Sequence, residues 1–178
     1  MLWILLSLNA AFFYALRYVI IKKYLSGINT FLLAFAARTT GFLCLLPFLY
    51  NQEISISDPC LFWQIIIVTS LLTAVASVMQ IHSLKNYDLS SSVPFLSFVP
   101  LFMVISVFFI FKELPGENSV VGIIILCIGG YVINLKGGYS LLTPVQSMLK
   151  NRGGLLFFGV AIIYGLTSTL DRVAIDDA

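Results

Sequence analysis

Residues 80–113 read QIHSLKNYDLSSSVPFLSFVPLFMVISVFFIFKE. One apolar run ends near His82, and a polar turn of Leu84-Lys85-Asn86-Tyr87-Asp88 follows it. A second apolar run carries Pro94 and Pro100 and stops at Lys112-Glu113. A helix that crosses a bilayer needs about 20 mostly apolar residues, so two such runs joined by a short polar turn predict two antiparallel spans. Prolines inside a span free backbone carbonyls that only protein neighbours or a water-filled cavity can satisfy. The second of these spans is therefore expected inside a bundle, beside whatever the bundle holds.

Working outward, six runs come near spanning length: Leu2–Ile21, Thr30–Tyr50, Phe62–His82, Leu89–Phe111, Ser119–Leu135 and Gly154–Leu170. The links Lys22–Asn29, Asn51–Leu61, Ser83–Asp88 and Lys112–Asn118 are short, so consecutive helices should be antiparallel neighbours. The exception is Lys136–Gly153, which holds Gly137-Gly138, Pro144 and the basic end Lys150-Asn151-Arg152. It reads as a linker, within which Val145–Lys150 can form one interfacial turn. The N-terminus resembles the apolar core of a signal peptide but lacks a basic leader and stays apolar to Ile21, so an uncleaved first span is expected.

Composition agrees. Of 178 residues, 60% are hydrophobic and 10% charged, with a mean hydropathy of +1.01. A soluble domain carries roughly 25% charged residues, and here there is too little polar surface to cover a globule in water. The fold class expected is an all-α, multi-spanning transmembrane bundle of about six spans, an integral multi-pass protein of a cell inner or plasma membrane. A net charge of +2 with no basic, aromatic-interleaved cluster gives no sign of nucleic-acid binding. Cys44, Cys60 and Cys127 have no metal-ligand spacing and read as small hydrophobes. No GxSxG, HExxH or glycine-rich phosphate loop is present, so no catalytic residue, metal site or cofactor is expected.

An internal comparison sets the organisation. Ala11–Lys23, AFFYALRYVIIKK, lies over Ala161–Val173, AIIYGLTSTLDRV, with Ala11, Tyr14 and Leu16 on Ala161, Tyr164 and Leu166, and Lys22 on Arg172. Five spans per copy is an odd number, so the second copy enters the membrane in the opposite sense, which is a signature of secondary transporters with a site between the repeats. The expected division is a five-helix unit at 1–135, a linker at 136–152, and an incomplete start of an inverted second repeat at 153–178.

Arg38 is the costliest residue on this layout. It lies about 12 Å into the second run at 1.5 Å per residue, where a charge must face water, a partner or an interface reached by snorkelling. Facing a cavity, it would attract an anionic or carboxylate-bearing substrate. Arg17 is closer to its helix end and snorkels more easily. Ser70, Thr73, Ser77 and Gln80 share one face of the third span, either lining a cavity or packing helices through small polar contacts. Ser90, Pro94, Ser97 and Leu101 form a similar face on the fourth, Asn9 and Tyr14 can face inward from the first, and Tyr164, Thr167 and Ser168 from the sixth. Gly122 and Gly129 read as a helix-packing groove. The single histidine, His82, is read mainly as capping the third span. The first five spans hold no carboxylate at mid-membrane depth, and Asp171, near the end of the sixth, is the only candidate acid. The substrate-cavity candidates are thus Asn9, Tyr14, Arg17, Arg38, Thr73, Ser77, Gln80, Pro94, Ser97 and Tyr164.

These residues resemble the drug/metabolite transporter superfamily, in its ten-helix EamA-type branch. Ser83-Leu84-Lys85-Asn86-Tyr87 is similar to that family's "aLky" turn after the third helix, Pro100 to its mid-helix proline, Glu113 to its "gE" position and Arg38 to the arginine of its "aaR". Gly122 and Gly129-Gly130 match small residues of its fifth helix. Tyr14-Ala15-Leu16 and Tyr164-Gly165-Leu166 sit where it often has Trp followed by small and aliphatic residues. Lys112 departs from the small residue expected before Glu113. The resemblance implies secondary transport, often export, of small metabolites such as amino-acid-like compounds, through a cavity between two inverted halves in the lipid bilayer. A homodimer or a partner half would then close the cavity. The reading from another class is a non-transporting truncated or accessory subunit that packs against a partner. Lysines in short loops put the Lys22 and Lys85 side in the cytoplasm and the N-terminus outside, whereas the resemblance implies an N-terminus inside. The related four-helix small multidrug family carries an essential glutamate in its first helix. This chain has no acid there, which argues against export of polyaromatic cations by that mechanism.

Overall fold

The computed structural model describes residues 2–49, 58–113, 116–133 and 152–176, all helices and short turns. The interfacial turn expected at Val145–Lys150 and most of the linker lie outside the described residues. The helices are α1 (Leu2–Tyr24), α2 (Thr30–Leu49), α3 (Pro59–Asn86), α4 (Leu89–Phe111), α5 (Glu117–Ile133) and α6 (Arg152–Asp176). All but α5 are long and apolar enough to cross a membrane. At 1.5 Å per residue α5 spans only about 25 Å, short of the roughly 30 Å of a hydrocarbon core. The chain is an all-α, multi-pass bundle, as expected.

Two segments depart from the sequence reading. The first is α3, which outruns Phe62–His82 at both ends. Asp58 caps its start, its carboxylate accepting from the N–H groups of Cys60 (3.1 Å) and Leu61 (3.3 Å), with Pro59 in the first turn, where a missing N–H costs nothing. At the other end Leu84-Lys85-Asn86 is not a turn but the last helical stretch. It persists because its free carbonyls find a partner: the Lys22 ammonium donates to the carbonyls of Lys85 (3.0 Å) and Tyr87 (2.8 Å). Lys85 in turn reaches the Ile28 carbonyl and Thr30 Oγ1 at the start of α2.

The second is α4. It opens with one α-helical turn (Leu89–Ser92), tightens to a 3-10 stretch (Val93–Phe98) and resumes as α-helix at Val99–Phe111. Pro94 and Pro100 each stand in the first turn of their segment, so neither breaks a hydrogen bond there. The helix stops at Lys112, which takes the left-handed conformation (φ 58°) and donates its N–H to the Phe108 carbonyl. That position favours glycine because a Cβ is crowded there.

α6 is the most enclosed helix and packs along α3 and α4. The approach is close because small residues permit it: a Cβ on Gly165 would stand 2.6 Å from Phe102 Cβ, one on Gly153 2.5 Å from Tyr87 Cβ, and one on Gly154 2.7 Å from the Phe95 ring. Gly130 of α5 sits against Ser97 in the same way, whereas a Cβ on Gly122 or Gly129 would meet no atom of another described element within 4 Å.

The core of Tyr18, Ile21, Ala34, Ile81, Leu84, Phe95 and Phe157 gathers at the end of the bundle that carries Lys22 and Lys85. α1 finishes at this lysine end. α6 starts there, Ser83 Oγ donating to the Gly153 carbonyl at 3.1 Å, and runs to the opposite end, where Arg172 pairs with Glu113 at 3.2 Å. α1 and α6 therefore cross in opposite senses.

Candidate functional site

Toward the middle of the bundle, α1, α2, α3 and α6 bring their polar side chains together. Ser77 Oγ donates to the Thr73 carbonyl one turn earlier on α3 (2.7 Å). Its proton is thus committed to its own helix, and its lone pairs face outward. Arg38 of α2 uses them, Nε at 3.1 Å and Nη2 at 2.5 Å. A guanidinium has five donors, so most remain for another acceptor. No carboxylate pairs with Arg38 among the described residues.

One turn further along α3 is Gln80, 2% exposed. Its amide donates to the hydroxyl of Tyr18 on α1 at 2.9 Å, and its carbonyl accepts from the hydroxyl of Tyr164 on α6 at 3.4 Å. Tyr14 stands edge-on to Tyr18, ring centroids 5.3 Å apart, and the Arg17 guanidinium lies 5.6 Å from the Tyr14 ring centre. Burying an amide and a phenol is costly unless each is paired; here they pair with each other across three helices.

Beside this network a cleft of about 630 Å³ lies between α2, α3 and α6. Arg38, Thr69, Ser70, Thr73 and Asp171 supply its polar lining, and Phe62 and Ile66 stand among its apolar walls. It extends toward the end away from the lysines, where α3 begins and α6 finishes.

Of the candidates read from the sequence, Tyr14, Arg17, Arg38, Thr73, Ser77, Gln80 and Tyr164 come together here. Asn9 does not: its amide bonds back to the Leu5 carbonyl (2.9 Å) on an exposed face of α1. Pro94 and Ser97 lie elsewhere, lining a separate cavity between α1, α4 and α5 with Ala15 and Leu126. Tyr18 links this cavity to the network, lining the one while its hydroxyl accepts from Gln80 of the other. Two residues here were absent from the candidates. Tyr18 is four residues after Tyr14 and so on its face, a signal hidden by the aromatics around it. Asp171 had been noted only as an acid near a helix end.

His82 is exposed at the lysine end, where the Asn86 side chain bonds its carbonyl at 2.8 Å, and it is not part of the network. The three cysteines are free, and no group of three or more potential metal ligands occurs among the described residues.

A family model, the EamA-like transporter family, matches residues 1–135, which contain α1 to α5 and all of the network except Tyr164. No curated protein and no solved structure matches the chain. Taken with helices long and apolar enough to cross a bilayer, the match makes this an integral multi-pass membrane protein of drug/metabolite transporter type: the chain belongs to the EamA-like transporter family.

Proposed function

We propose that the chain is a secondary transporter, or one half of one, that exports small metabolites or amino-acid-like compounds through the region around Arg38, Ser77, Gln80, Tyr18 and Tyr164. The observation that carries this reading is Arg38. It is a charge inside a span, held by a neutral hydroxyl and facing a cleft with donors to spare. Such a charge is costly in a membrane unless a pathway uses it. Its role is to receive an anionic group of the substrate, while Gln80 and the tyrosines form a polar floor.

The division into a five-helix unit (1–135), a linker (136–152) and the start of an inverted second repeat (153–178) belongs to the same reading. Two observations support it. α1 and α6 cross in opposite senses, and Tyr14 and Tyr164, equivalent in the internal comparison, approach the same network. A second copy or a partner half packed over α2 and α6 would enclose the cleft.

The test is flux from liposomes containing the purified full chain, loaded with a broad panel of small metabolites. Arg38→Ala and Gln80→Ala are expected to lower substrate-dependent flux about tenfold or more, the loss of one charge-assisted or buried hydrogen bond. Absence of flux across the panel, in a chain that co-purifies with another membrane protein, would sink the proposal in favour of an accessory subunit.

A further inference from the structure

We propose that Asp171 is the second charged anchor of the substrate and selects compounds that carry a cationic group as well as an anionic one. The inference rests on the transport reading above and adds a residue and a substrate charge class to it.

Asp171 and Arg38 line one cleft from different helices. Neither is ion-paired, and Asp171 has no hydrogen-bond partner among the described residues. The two acids that do pair at that end, Glu113 and Asp176, are both taken by Arg172. Among the described residues the cleft therefore presents one cation and one anion without an ionic partner, each costly near hydrocarbon and each neutralised by a ligand of the complementary charge pattern.

The cleft is sized for one small amphoteric molecule. Tyr164 reaches Gln80, which fixes the level of α6 against α3. From there Asp171 lies seven residues toward the opposite end, about 10 Å along α6, and Ser77, the partner of Arg38, lies three residues the same way, about 4.5 Å along α3. Along the bundle Asp171 thus stands roughly 6 Å beyond Ser77. A single α-amino acid can turn its carboxylate toward Arg38 and its ammonium toward Asp171, with Phe62 and Ile66 beside its side chain. A monoanion would satisfy Arg38 and leave Asp171 unmatched; a monocation would do the reverse. Discrimination of this kind works by leaving a site charge unpaired in the wrong complex.

Three probes share one aromatic body: phenylalanine, 3-phenylpropanoate and 2-phenylethylamine. Their binding to the full chain in lipid nanodiscs is measured by calorimetric titration. The wild-type chain is expected to bind phenylalanine about tenfold or more tighter than either single-charge probe. Asp171→Asn should abolish the preference for phenylalanine over 3-phenylpropanoate, Asp171→Glu should retain it, and Arg38→Gln should abolish the preference over 2-phenylethylamine. Asp171 is exposed and unpaired, so neither substitution at that position should change the melting temperature, which is recorded in parallel. If 3-phenylpropanoate binds the wild type as tightly as phenylalanine in an Arg38-dependent way, or if Asp171→Asn leaves the preference intact, the proposal is overturned while the transport reading stands. If none of the three binds, both the cleft as a substrate site and the role of Asp171 fall.

Discussion

The two ends of the bundle are built differently. At the lysine end, α1, α2, α3, α4 and α6 meet around fully buried Phe157, Ile81 and Leu84, and ammonium and hydroxyl donors tie helix ends to one another. At the opposite end the ties are exposed ion pairs, Arg172 with Glu113 (3.2 Å) and Asp176 (3.4 Å), and Arg172 stacked 4.5 Å from the Phe111 ring centre. The cleft extends toward that second end. Association of helices in lipid depends on close packing and polar bonds, with no hydrophobic drive between them. The contrast therefore says where the chain is held: one end carries the assembly, and the cleft extends toward the other.

Substitutions at matched positions test that contrast. Gly153→Leu should be the most damaging, because its Cβ alone would overlap Tyr87 and Ser92; overpacking of this kind costs about 3 kcal/mol. Gly122→Leu near the start of α5 meets no described atom within 4 Å and should be neutral or stabilising by up to about 1 kcal/mol through helix propensity. Equilibrium unfolding in mixed micelles, followed by circular dichroism, measures both; equal losses would mean that the ends are not different. Lys22→Met removes two charge-assisted bonds to the end of α3 and should cost about 2 kcal/mol, with faster amide exchange at Asn86 and Tyr87 as its local signature. Lys112→Gly, at the opposite end, should gain about 1 kcal/mol by relieving the left-handed residue. A loss on that substitution would show instead that the Lys112 side chain, 5.9 Å from the Phe108 and Phe109 ring centres, matters more than its backbone. Arg172→Ala should have the smallest effect, about 0.5 kcal/mol, since exposed pairs contribute little; a loss near that of Lys22→Met would erase the distinction.

How much of this was legible in the sequence follows from which forces are local. Hydropathy alone marks the spans. The early start of α3 was also written locally, as Asp58 before Pro59, but an apolar count passes over a polar cap. Its late finish was not local at all, because it depends on Lys22, more than sixty residues earlier in the chain. The prolines of α4 announced an irregular helix, yet the 3-10 geometry depends on where each proline falls in its turn. In the site, Arg38 and the Ser77–Gln80 face were legible because a charge or a polar stripe in an apolar span is costly and so conspicuous. Tyr18 was not, being one ring among many. Asn9 was misleading for a physical reason: a short amide in a helix can satisfy itself on the preceding turn. Pro94 and Ser97 share a face, as read, but it looks toward α1 and α5.

The bond from Lys22 also bears on the order of assembly during synthesis. α1 and α2 are apolar enough to enter a membrane singly, but the carbonyls that Lys22 grips belong to residues 85 and 87. Until the ribosome has delivered the end of α3, the last turn of the first helix lacks these two bonds. A disulfide crosslink engineered between the ends of α1 and α3 should therefore form only in nascent chains long enough to have released Tyr87. Appearance of a folded α1–α2 unit in shorter nascent chains would contradict this order.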